Sequence, residues 1–110
     1  MWNISHQTPK YIKIGRKKQA TATVTTVTPQ MAGKLLKLDK LNRRRYGINV
    51  GKFAKDMVNG RFVLTSVGIG IDTDNILTNG GNRLTACVKS NAPFEVVIVK
   101  NLPPEARNYV

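Results

Sequence analysis

Residues 77–87 read LTNGGNRLTAC, and Asn79, Gly80, Gly81, Asn82 and Arg83 within them could do chemistry together. The two glycines stand where a short β-like run, ILT, gives way to a helical pattern. A helix start exposes backbone N–H groups without acceptors and carries a partial positive charge. Glycines there let a bulky anion approach the backbone, and a guanidinium in the first turn offers a forked donor suited to phosphate. Asn79 is expected to cap the helix and Asn82 to add an amide contact. The plainer reading is a tight turn before a helix, with Arg83 paired to Asp72 or Asp74.

The charge distribution points to the same kind of ligand. The net charge is +12 over 110 residues, and it is one-sided. Residues 1–55 hold 13 of the 18 Lys and Arg and one acid, Asp39, while residues 56–110 hold 5 of each sign. The basic positions fall in a front arm, Lys10, Lys13, Arg16, Lys17 and Lys18, and in the run Arg43, Arg44 and Arg45. A strongly positive face on a neutral body suits a polyanion: DNA more than RNA, or an acidic protein surface that imitates them. A solvated surface kept for solubility is the alternative. Trp2, Tyr11 and Tyr46 interleave with these basic segments and could stack on bases or enter a protein pocket.

Composition bounds the rest. The length allows one domain, and 41% apolar residues argue for a folded chain. No apolar run is long enough for a membrane span, and MWNISHQTPKYIK has neither the apolar stretch nor the cleavage site of a secretion signal. A single cysteine fits a reducing cytoplasm.

The elements that must position these residues are visible in the pattern. Residues 1–20 read as an irregular basic arm and 21–110 as an α+β domain, a small mixed sheet with flanking helices. ATATVTTVT, 20–28, is a β-branched strand. Thr28-Pro29 starts a helix with Met31, Leu35, Leu38 and Leu41 on one side and Lys34, Lys37 and Lys40 on another. Val50, Phe53, Ala54, Met57 and Val58 form an apolar helical face that Gly60 closes. RFVLT and VGIGID are strand candidates, and DTDN, which lacks a calcium loop's glycine, is a plain turn. The helix after NGG runs to about Asn91 with Leu84, Cys87 and Val88 inward. EVVIV, 95–99, is a buried strand, and LPPEARNYV opens a last short helix.

VTPQMAGKLL, NRRRYGINVGKFAKDMVNGRFVLT and IDTDNILTNGGNRLTACVKSNAPFEVVIVKNLPPEA together resemble the phage and plasmid ParB-like nuclease branch of the ParB/sulfiredoxin-like superfamily. The similarity spans about residues 27–107 in unbroken order. It implies a ParB/sulfiredoxin-like fold whose turn and helix bind the phosphates of a nucleotide or of nucleic acid, with Gly80 and Arg83 at the family's glycine and arginine. The family motif, of the DGQHR type, is degenerate here: its Asp is Asn79, its Gln is Gly81 and its His is Asn82. An amide does not titrate near neutral pH, so proton transfer by that His is lost. The sulfiredoxin cysteine would fall at Gly81, which excludes that chemistry. Cys87 is expected to be core.

A non-catalytic domain that binds DNA or a phosphate-bearing ligand is the first reading, with no catalytic residue, no metal set and a nucleotide as the one small ligand the resemblance suggests. A nuclease or nucleotide hydrolase that recruits Asp72, Asp74 or His6 as base is the second. A small inhibitor of a host protein is the third.

Overall fold

ATATVTTVT does form a strand. β1 (Thr21–Val27) pairs antiparallel with β4 (Phe94–Leu102) along its whole length, Val27 beside Phe94, Thr25 beside Val96 and Thr23 beside Ile98. The structure, a computed structural model, describes residues 19–41 and 43–109. Trp2, His6, Lys10, Tyr11, Lys13, Arg16, Lys17 and Lys18 lie outside the described residues. Between the two strands the chain forms α1 (Pro29–Leu36), α2 (Gly47–Val58), β2 (Ile69–Asp72), β3 (Leu77–Asn79) and α3 (Gly81–Ser90); a 3₁₀ helix, Pro104–Tyr109, follows β4. No helix among the described residues is long and apolar enough to cross a membrane.

The sheet is mixed, in the order β1-β4-β2-β3. β2 runs parallel to β4 and antiparallel to β3. Parallel neighbours need a long crossover, and α3 supplies it between β3 and β4. All three helices gather on one side, where α3 packs against both α1 and α2. Leu84 and Cys87 of α3 meet Ile69, Phe94, Val96 and Ile98 of the sheet in a single core with Ala32, Val50 and Met57.

Local signals placed most of these elements. Thr28 caps α1, its hydroxyl accepting the Met31 N–H at 3.2 Å, with Pro29 in the first turn. Gly60 closes α2 with φ of 67°, a left-handed backbone that favours glycine.

Five expectations are corrected. α1 stops at Leu36; Leu38 lies beyond the helix, still packed against the core, and its carbonyl accepts the Leu77 N–H at 2.9 Å, covering the edge of β3. RFVLT is not a strand: it is a loop anchored by Phe62, which packs edge-on between Phe53 and Phe94 at 5.9 and 5.1 Å. Aromatic burial at one position outweighed β propensity there. Val58 is exposed because it ends α2 at the border of its apolar face. Val88 is exposed because two neighbouring helices widen the buried arc of α3 toward Ala86 instead. EVVIV is fully buried on one face only: Val96 and Ile98 point into the core, while Val97 and Val99 are half-buried on the side opposite the three α-helices.

Candidate functional site: a cationic cavity at the start of α3

β3 delivers the chain to α3 through Gly80, whose φ is 110°. A side chain there would be strained by the backbone angle and would overlap Ile69, which is fully buried. Gly80 is also the N-cap, so no side chain caps this helix. Asn79, expected to cap it, is instead the last residue of β3 and reaches the Gly68 carbonyl at 3.5 Å. The first backbone bond of the helix is from the Leu84 N–H to the Gly80 carbonyl. The N–H groups of Gly81, Asn82 and Arg83 therefore lack intrahelical acceptors.

A cavity of about 580 Å³ opens in front of these groups. Arg43, Arg44, Arg45 and Arg83 line it with Asn79, Gly80, Gly81 and Asn82. Tyr46, Phe53 and Val67 form an apolar wall. The fold thus brings the basic run and the diglycine turn, which are far apart in sequence, to one place.

Each arginine does something different there. Arg45 is half-buried: its Nε donates to Thr85 Oγ1 at 3.1 Å, one Nη to the Arg43 carbonyl at 3.1 Å, and the other Nη to Asp39. Its guanidinium lies against Gly81, where a Cβ would overlap it. So the space left by Gly81 is filled by Arg45, and a guanidinium covers the backbone there. Arg43 donates to the carbonyls of Thr78 at 2.9 Å and Arg107 at 2.6 Å, which ties β3 to the 3₁₀ helix. Arg44 is exposed and makes no hydrogen bond among the described residues.

Arg83 donates to the carbonyls of Val67 at 2.5 Å and Gly68 at 2.8 Å, pinning the loop before β2. Burial pushes its pKa down from the ordinary guanidinium value. It is not paired with Asp72 or Asp74. Arg107 takes both, with its Nε on Asp72 at 2.5 Å and Nη2 on Asp74 at 2.7 Å. Burial pushes the Asp72 carboxyl up. Hydrogen bonds from Arg107 and from the Ile76 and Asp74 N–H groups outweigh that and hold it below the ordinary carboxylate value. Asn82 lines the cavity, and its Oδ1 accepts the Tyr46 N–H at 3.2 Å, which ties the start of α3 to the residue before α2.

The charge balance follows from the lining. Four arginines less the one carboxylate, Asp39, leave three net positive charges, to which the helix start adds its partial charge. Asp39 escaped the sequence reading as a site residue, although it is the only acid of the first half. Thr85 escaped it too, since a threonine inside a helix carries no distinct signal. Cys87 is buried, its thiol donating to the Ala92 carbonyl at 3.1 Å and its pKa pushed up by burial, as a core thiol's is. No group of three His, Cys, Asp or Glu that could hold a metal occurs among the described residues. Compared with protein-family models, curated proteins and solved structures, the chain matches none.

Proposed function

We propose that this chain is a non-catalytic domain of the phage and plasmid ParB-like kind, which binds DNA or a phosphate-bearing ligand through the cationic cavity at the start of α3. The observation that carries this reading is the cavity's excess of arginine over carboxylate. A phosphate supplies the missing negative charge and accepts the spare N–H groups of Arg44 and Arg45. The arrangement of the acids speaks against catalysis. Asp72 and Asp74, the carboxylates nearest in sequence to the turn, are both held by Arg107. A carboxylate whose pKa is held low by three donors is a poor general base.

The apolar wall suggests that bases are held as well as phosphates. Tyr46 is 56% exposed and stands beside the arginines, the position of a stacking platform for an unpaired base.

Fluorescence anisotropy with labelled duplex and single-stranded DNA at two salt concentrations tests the proposal, using wild type and Arg44→Ala. Arg44→Ala isolates the contact, because Arg44 makes no hydrogen bond among the described residues. On duplex DNA, affinity should fall with salt, and the variant should lose about 0.9 from the slope of log K against log salt for the one phosphate contact removed. Binding that ignores both salt and Arg44→Ala would sink the reading.

A further inference from the structure

The two edges of the sheet are treated differently. The β3 edge is covered: the Leu77 N–H donates to Leu38, and the Thr78 carbonyl accepts from Arg43. The β1 edge has no such cover among the described residues, where the sheet partner of β1 is β4. Thr21–Val24 are exposed. TATVTTV contains no charge, no proline and no glycine, and its register with β4 runs without a bulge over 7 residues. These are the devices that normally blunt an edge against pairing.

The strand is also matched to itself. An antiparallel pairing with its two-fold axis at Val24 sets Val24 beside the partner's Val24, and Thr23 beside the partner's Thr25. It also sets Ala22 beside the partner's Thr26, and Thr21 beside the partner's Val27. Every pair joins small or β-branched side chains, and each residue stays on its own face of the sheet. Depending on which residues turn their N–H outward, the pairing closes about six to eight hydrogen bonds.

Among the described residues, charge does not oppose this contact locally. The cationic cavity adjoins β3, at the opposite edge of the sheet. The charged residues one strand behind β1 are Glu95 and Lys100, of opposite sign. The two-fold also brings the two chains into β1 from opposite ends of the ribbon, about 20 Å apart for a strand of this length.

We propose that β1 is a self-association edge, through which two copies join antiparallel at Val24 into one continuous sheet. Pairing by one strand buries an area at the low end of specific interfaces, so the dimer is weak and depends on concentration.

Sedimentation equilibrium of the full chain over a wide concentration range, at about 0.5 M salt to screen the net charge, tests this. The mass should rise from the 12.2 kDa of one chain towards twice that. Val24 is 54% exposed, so Val24→Lys and Val24→Glu leave the core intact, which circular dichroism checks. Each variant alone should dimerise at least tenfold more weakly, because like charges then face each other across the axis. An equimolar mixture of the two should recover association, Lys facing Glu. Wild type that stays at the mass of one chain overturns the proposal. So does Val24→Lys that self-associates like wild type, or a mixture that stays dissociated.

Discussion

The guanidinium of Arg45 lies on Gly81, where any side chain would place its Cβ, and Asp39 holds it there. A cation thus covers the positive end of a helix, a placement that is unfavourable alone and becomes tolerable through the carboxylate. The two glycines of the turn are consequently needed for different reasons. Gly80→Ala meets a φ of 110° and the buried Ile69, and should cost about 2–4 kcal/mol. Gly81→Ala leaves the backbone unstrained but displaces the guanidinium of Arg45 from Asp39, Thr85 and the Arg43 carbonyl, and should cost less, about 1–2 kcal/mol. Urea denaturation of the two variants measures the difference, and equal costs would contradict this account of the turn.

Asp39→Asn removes the one carboxylate from the cavity. Polyanion affinity should rise, on the order of fivefold at low salt, from about 1 kcal/mol of Coulomb repulsion relieved. The change is opposite in sign to that of Arg44→Ala. Anisotropy titrations of the two variants side by side would show whether the cavity is where the anion sits.

The Asp72–Arg107 pair makes stability depend on acid. The folded Asp72 pKa lies below its ordinary value, so its contribution is complete above the unfolded carboxyl value, about 3.9. That contribution is lost as pH falls through the folded value. Asp72→Asn should cost about 1–3 kcal/mol at neutral pH, for a buried charge-assisted hydrogen bond. It should also lose less stability than wild type between neutrality and acid. Denaturation midpoints measured at several pH values test both parts.

Thr28→Ala should cost about 1 kcal/mol by removing the cap of α1, while Thr28→Ser should be nearly neutral. Thermal melts compare them.

Cys87 is buried with its pKa raised. A thiol reagent should therefore modify it in native protein at a rate that tracks opening of the fold, and rapidly once urea unfolds the chain. Fast labelling of the native protein would mean that the core around α3 opens readily.

What the amino-acid order determined by itself is what short-range physics governs. The β-branching of 21–27, the Thr28-Pro29 start, the apolar spacing of α2 and its Gly60 stop each act within a few residues, so each was legible. So was the helix after the diglycine, and the gathering of positive charge in the first half. The partner of each arginine was not legible, because it depends on which strands lie side by side. The order β1-β4-β2-β3 and the docking of the 3₁₀ helix set Arg107 on Asp72 and Asp74, leaving Arg83 to two carbonyls. The loop before α2 laid Arg45 over Gly81, and Phe62 kept RFVLT out of the sheet. Burial and ion pairing between distant residues are properties of the assembled layers, and only the tertiary structure decided them.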